Sequence, residues 1–328
     1  MITKLYKAES LSTNPYHNLA YEKLLFDSVD DGEMILYLWQ NRHTVVCGRN
    51  QNIYKECLVS RLLGDGGFPA RRLSGGGAVF HDMGNLNFTF LVKDGDYDVD
   101  RQLSVLLKAC ASLGLGAEKT GRNDVTIEGK KFSGNAFYSS GGRRYHHGTI
   151  MVDIDKDMLS HYLNVDKSKL EAKGVSSVRS RVANLTDFLP SLTIETMKDK
   201  MWAAFEAVYG LSAAPIEIEH NNALEETEKY FGSDEWLYGT VGSFSMRLDR
   251  RFDWGDFDLN IDAQDGKINR AALYSDALDE EYIRAFAEAI QGTALTAVNL
   301  KGIADALAGT EEQRQMAGDI AAFLFEEL

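Results

Sequence analysis

The sequence predicts an α+β protein with a large first domain at residues 1–246 and a smaller α+β unit at 247–328. Three observations carry this expectation. A well-capped helix near the start gives way early to short apolar strands. An amphipathic helix, a set of adjacent strand-like stretches and a second amphipathic helix follow. After about Met246 the texture changes to short strands joined by polar, glycine-containing turns. With 328 residues, 44% of them hydrophobic and 26% charged, the chain can bury a sizeable core.

The elements follow in order. Asn14 is placed to cap a helix that has Pro15 at its first position and runs to about Val29. Met34–Gln40 (MILYLWQ) and Thr44–Gly48 (TVVCG) are short and apolar and read as strands. The run from Asp100 to Leu113 has a capping Asp, an apolar stripe of Leu103, Leu106, Leu107, Cys110 and Leu113, and the stop signal Gly114. Asp124–Tyr138 alternates around the turn-forming pair Glu128-Gly129, and Tyr145–Asp153 continues as a neighbouring strand. Thr193–Tyr209 reads as a helix with Ile194, Met197, Met201, Phe205 and Val208 on one face and Gly210 as terminator. Two helical stretches are expected to close the chain.

Charge narrows the partners. Lys plus Arg number 35 against 49 Asp plus Glu, a net charge of −14, which argues against general binding to nucleic-acid phosphates or anionic membranes. Any anionic ligand must therefore be held by a local cluster. The N-terminal stretch does not have the make-up of a signal peptide, and no apolar run approaches the roughly 20 residues that span a bilayer, so the cytoplasm is the expected location. Cys47, Cys57 and Cys110 are far apart and form no C-x-x-C, against a disulfide framework or a zinc site.

One stretch stands out: RRLSGGGAVFHD, Arg71–Asp82. Three consecutive glycines mark either a plain hairpin loop or a place where something approaches the main chain closely. No Lys-Ser/Thr follows them and no G-x-G-x-x-G opens a helix, so neither a P-loop nor a dinucleotide fold is supported. Alternation along a strand would send one of Arg71 and Arg72 into a pocket and the other to solvent. A buried guanidinium there would suit a phosphate or carboxylate. Ser74, His81 and Asp82 add hydrogen-bonding groups, although His81 taken alone reads as a structural histidine. Asn123 and Asp124 offer oxygen ligands of the kind a hard cation such as Mg²⁺ takes together with substrate phosphates. Lys130 and Lys131 are adjacent on a strand, so one of them faces the site; His146 and His147 likewise fall on opposite faces.

These motifs have a counterpart. Residues 71–88 (RRLSGGGAVFHDMGNLNF), 121–136 (GRNDVTIEGKKFSGNA), 146–149 (HHGT) and 172–185 (AKGVSSVRSRVANL) closely resemble the lipoate–protein ligase family, and the resemblance covers nearly the whole chain. It implies a catalytic domain similar to biotin protein ligases and class II aminoacyl-tRNA synthetases, a mixed β-sheet flanked by helices, followed by the small C-terminal domain of full-length members. It further implies that lipoate and ATP·Mg²⁺ give lipoyl-adenylate, and that a lysine of an acceptor lipoyl domain then takes the lipoyl group. The acceptors would be lipoyl domains of 2-oxoacid dehydrogenase complexes or the glycine-cleavage H protein. By the same resemblance Gly77, Ala78, Val79 and Phe80 line the nucleotide, Arg72 meets its phosphate and Lys131 is the catalytic charge stabiliser. Asn123 and Asp124 hold either Mg²⁺ or the ribose-phosphate region. Trp39, Ser74, His81 and His147 surround the lipoyl tail and its carboxyl end. Arg143, Arg144, Arg179 or Arg181 would contribute to docking the acceptor. The competing reading is an ATP-independent octanoyl- or lipoyl-transferase of the same fold, which needs a cysteine nucleophile or a lysine/cysteine pair in the pocket.

Overall fold

The computed structural model describes residues 1–121, 123–163, 182–239, 244–264 and 266–328. The chain divides into two compact units. The first comprises 1–46, 56–71 and 79–237; the second comprises 47–55, 72–78 and 238–328. The boundary expected at 246/247 falls inside the second unit, which also takes up two short segments from the first half of the chain.

The first unit is built on an eight-stranded sheet. Its strands are β1 (Lys4–Glu9), β2 (Glu33–Trp39), β6 (Asn85–Lys93), β7 (Ala117–Thr120), β8 (Asp124–Ile127), β9 (Lys130–Ser140), β10 (Arg143–Met151) and β11 (Ala213–Pro215). They lie in the order β11-β1-β2-β6-β10-β9-β8-β7. β1 runs parallel to both of its neighbours and the remaining pairs are antiparallel, so the sheet is mixed. A smaller sheet in the order β4-β3-β5 is formed by β3 (Thr44–Cys47), β4 (Phe68–Arg71) and β5 (Val79–His81).

Strand alternation gives the large sheet two different faces. Met34, Leu36 and Leu38 of β2 and Phe88 and Phe90 of β6 point into the main core. There they meet α4 (Val99–Ser112) through Leu103, Leu106 and Cys110, and α6 (Ile194–Tyr209) through Met197, Met201 and Phe205. Each fully buried Leu or Phe is worth about 1.5–3 kcal/mol over leaving it exposed. The intervening residues Tyr37, Trp39, Thr89, Tyr145 and His147 occupy the other face, where α1 (Pro15–Ser28) packs: Tyr21 stacks on Tyr37 and Phe26 meets Tyr145 edge-on. This second face carries the polar residues.

Local signals set the helix ends. The Asn14 side chain accepts from Tyr16 N at the start of α1, and Gly210 ends α6 with φ +69°. α4 begins one residue before Asp100, capped by Asp98, whose side chain accepts from Arg101 N.

The second unit holds the antiparallel sheet β12 (Met246–Phe252), β13 (Gly255–Gln264) and β14 (Lys267–Tyr274). Three helices follow instead of the two expected: α9 (Glu280–Ala289), α10 (Ala297–Leu307) and α11 (Glu311–Glu327). The extra break lies at Gly309-Thr310, where Thr310 starts a new capping box with Gln313. Phe257, Phe286, Leu300 and Phe323 form this unit's own core. Among the described residues no helix is long and apolar enough to cross a membrane.

Candidate functional site

In the first unit the β8–β9 hairpin turns on Glu128 and Gly129, both with positive φ (+50° and +74°), as a type I′ turn requires. The pair that the sequence marked as a turn is thus the hairpin loop. Lys130 is exposed, whereas Lys131 reaches Asp124, with Nζ 2.7 Å from Oδ1.

A bulge decides which way Lys131 points. Thr126 pairs with Lys131 and Val125 with Ser133, leaving Phe132 as the extra residue, fully buried in the core. Residues 131 and 134 would face opposite ways on a regular strand; the inserted residue brings them to the same side. Gly134, the register partner of Asp124, then has no side chain in the way: a β-carbon there would lie 3.0 Å from both Cε and Nζ of Lys131. The Lys131 carbonyl accepts from Ala183 N at 2.9 Å, which fixes the strand from its other edge.

The turn before β8 is tied down by amide exchange. Asn135 donates to the Asn123 carbonyl through both its backbone N (2.9 Å) and its Nδ2 (3.0 Å), while Asn123 Nδ2 donates to Asn135 O at 3.3 Å. Asn123 and Asp124 are both partly exposed. Asp124 is a hard oxygen donor and fits Mg²⁺ whose remaining ligands come from substrate phosphate. Among the described residues no three His, Cys, Asp or Glu side chains gather into a metal centre of their own.

Trp39, His81 and His147 come together on the polar face of the sheet. Thr89 is the register partner of both Tyr37 on β2 and His147 on β10, so it sits between the two neighbouring strands. Its hydroxyl accepts from Trp39 Nε1 (3.2 Å) and donates to Glu22 Oε1 (2.6 Å). The same Glu22 oxygen lies 3.0 Å from His147 Nδ1. Trp39 stacks on Tyr37, and His81 meets it edge-on with centroids 6.3 Å apart. His81 Nδ1 faces two amide donors, Asn41 Nδ2 at 3.2 Å and Asn87 Nδ2 at 3.5 Å, which suits a neutral ring.

Glu22 is the residue that sequence reasoning missed. It is 1% exposed, a carboxylate on the buried face of α1 beside Leu19, Leu25 and Phe26. An acid at helical spacing within an apolar stripe was the available signal. His146, by contrast, faces the other way, between Gln102 Oε1 (3.2 Å) and Asn135 Oδ1 (2.8 Å). Burial, then the neighbouring His147 and Lys119, push its pKa down to about 3, so it is a neutral structural group.

The glycine loop belongs to the second unit. Each of its first two glycines has its own reason. A β-carbon on Gly75 would lie 2.2 Å from Ala277 O, and Gly76 has φ +86°, the left-handed region. Gly77 is exposed, with open space around its α-carbon. Ser74 is fully buried, Ala78 and Val79 are partly exposed, and Phe80 is buried against Tyr162 and His43.

The two arginines do not divide between pocket and solvent; each is 6% exposed. β4 ends at Arg71, so strand alternation does not extend to Arg72. Arg71 donates to Trp236 O (2.9 Å) and Leu237 O (2.6 Å). Arg72 donates from Nε to Ser74 Oγ (3.1 Å) and from Nη2 to Gly75 O (2.7 Å) and Gly77 O (2.8 Å). The loop's own carbonyls and the Ser74 hydroxyl thus accept from this guanidinium.

The remaining candidates are placed elsewhere or occupied. All three cysteines are buried, and burial pushes the Cys57 and Cys110 thiols up to about 12. Arg143 donates to Val29 O, and Arg144 pairs with Asp94 at 2.9 Å. Arg179 and Arg181 lie outside the described residues.

The architecture is that of solved lipoate–protein ligases. The lipoate-bound structure of P. falciparum LipL1 superposes with a TM-score of 0.84 at 26% identity, covering 97% of this chain and 99% of that one. A bipartite lipoate protein ligase from Thermoplasma acidophilum, described with its E2 lipoyl domain, is 28% identical over 75% of this chain and all of its own, with a TM-score of 0.64. An ATP-bound lipoate-protein ligase A gives 0.63 at 26% identity, over 74% of this chain and 100% of that one. The family model for the lipoyl protein ligase A/B catalytic domain matches residues 14–206, and that for the bacterial lipoate protein ligase C-terminus matches 242–323. The chain belongs to the lipoyl protein ligase A/B family.

Proposed function

We propose that this protein activates lipoate with ATP and passes the lipoyl group to a lysine of an acceptor lipoyl domain, in the cytoplasm. A carboxylate oxygen of lipoate attacks the α-phosphorus of ATP, the bond to the β-phosphate oxygen breaks, and pyrophosphate leaves. The acceptor lysine amine then attacks the acyl carbon of the mixed anhydride and AMP departs. The observation that carries the reading is Lys131: one ammonium, fixed by Asp124 and the Gly134 gap, on a hairpin whose conformation is already set. An ammonium held in place stabilises charge on the carboxyl and α-phosphate oxygens without reorganising during the attack. Arg72, which donates to the carbonyls of Gly75 and Gly77, is assigned to the nucleotide phosphate.

Mg²⁺, held by Asp124 and the phosphates, would supply neutralisation of the departing pyrophosphate. Trp39, His81 and His147 are assigned to the lipoyl chain and its carboxyl end. Related proteins, one solved with lipoate, one with ATP and one described together with its E2 lipoyl domain, support this choice of acid, nucleotide and acceptor class. The acceptors are lipoyl domains of 2-oxoacid dehydrogenase complexes or the glycine-cleavage H protein.

The transferase alternative requires an accessible thiolate, and all three thiols are buried. The deciding experiment incubates the protein with lipoate, ATP and a purified lipoyl domain, reading pyrophosphate release and the mass of the acceptor. Product formed without ATP and lost when the cysteines are replaced would overturn the proposal.

A further inference from the structure

Within the second unit one turn grips the glycine loop. Ala277, between β14 and α9, accepts through its carbonyl from Gly76 N at 3.1 Å, and the same oxygen occupies the space that a side chain on Gly75 would need. Gly255, with φ +155°, clears the opposite side, since a β-carbon there would lie 2.8 Å from Ala277 N. Ser275, 4% exposed, holds the turn: its Oγ accepts from Ala277 N at 3.0 Å, and its own N donates to Asn50 O at 2.8 Å. Asn50 Nδ2 donates in turn to Glu280 O at 3.0 Å, and Arg49 N donates to Ser74 O at 2.9 Å. A β-carbon on Gly48 would lie 2.2 Å from Gly76 O, so the loop is hemmed in by main chain from this segment as well.

Consecutive glycines give up more backbone entropy on ordering than any other residues, so such a loop needs an outside template to hold one shape. Here the template is backbone against backbone, at distances that no side chain could occupy. The shape matters because Gly75 and Gly77 supply the carbonyls that hold the Arg72 guanidinium.

We propose that Ala277, fixed in its turn by Ser275, is a positioning residue for the nucleotide step, setting the glycine loop and with it Arg72. This rests on the reading that the loop meets ATP, and it assigns to β14–α9 a part in the first half-reaction.

The test uses the full-length protein and the variants Ser275→Ala, Asn50→Ala and Gly75→Ala. Amide hydrogen exchange on the ligand-free protein reports the grip directly: protection at Gly76 is expected to fall on the order of fivefold in Ser275→Ala, the loss of one net hydrogen bond, and further in Gly75→Ala. The KM for ATP is expected to rise by a similar factor in Ser275→Ala and Asn50→Ala, with the KM for lipoate and kcat within about twofold of wild type. Unchanged Gly76 protection in all three variants would overturn the proposal. So would an equal loss in every kinetic parameter accompanied by a fall in Tm, which marks a merely structural role. A wild-type protein that releases no pyrophosphate would instead refute the function proposed above, and Gly76 exchange would still decide whether the turn holds the loop.

Discussion

The ammonium of Lys131 stands where a side chain at Gly134 would begin, 3.0 Å from the position of that β-carbon. A methyl group there crowds the far end of a flexible side chain and makes ordinary contact with Thr149 Oγ1 at 3.9 Å, so Gly134→Ala is expected to fold with a Tm close to wild type. The amine must nevertheless give by a few tenths of an ångström, so the rate is expected to fall, by less than the roughly 10² that a full ångström of misplacement costs. Pyrophosphate release, measured beside a thermal melt, separates the two effects.

Removing the charge altogether is the stronger test. Lys131→Ala is expected to lower adenylation by on the order of 10² or more, as for loss of one preorganised donor to a developing oxyanion. Turnover near the wild-type value would reject the role assigned to this side chain.

The glycines of the loop differ in what they tolerate. Gly76→Ala forces a left-handed residue to carry a β-carbon and is expected to cost about 1 kcal/mol or more. Gly77→Ala meets open space and is expected to stay within about 0.5 kcal/mol. Midpoints of denaturant unfolding, compared at constant slope, would show the difference.

Two buried groups contribute to stability with opposite dependence on pH. Burial pushes Glu280 up to about 7 from 4.5; Arg49 on the neighbouring segment and Arg284 on α9 pull it down, while Glu281 and Asp279 push it up. The folded carboxyl keeps its proton where the unfolded one has lost it. Its contribution is therefore complete below pH 4.5 and is lost as pH rises through about 7, by at most about 3 kcal/mol. His146 has the reverse sign: its contribution is present above 6.5 and is lost as pH falls toward 3. Melting curves of Glu280→Gln are expected to gain on wild type between about pH 5 and about pH 8. A gap that stays constant over that range would dismiss the role of this carboxyl.

Local chemistry made much of the fold legible. Asn14-Pro15, Glu128-Gly129 and Gly210 each act within a few residues, and each sits where the sequence placed it. What escaped depends on distant partners. β1 and β11 pair in parallel across the intervening chain, and β11 is only three residues long, so neither carries a pattern of its own. At the site, alternation showed that one of Lys130 and Lys131 points inward, but the bulge at Phe132 is what seats that amine over Gly134. Both arginines are buried because carbonyls from 236–237 and from the glycine loop reach them, which strand periodicity cannot register. The role of Glu22 emerges only once α1 lies across β6 and β10.

The sealed thiols have a chemical consequence of their own. The acid proposed as substrate carries a strained cyclic disulfide, which a thiolate opens by exchange. A protein that cradled this ring beside a reactive cysteine would risk a mixed disulfide with its own cargo at each turnover. With Cys47, Cys57 and Cys110 all withdrawn into the interior, the ring meets nothing that can reduce it. Activity is accordingly expected to be the same with and without added reductant, and indifferent to alkylating reagents in the folded state.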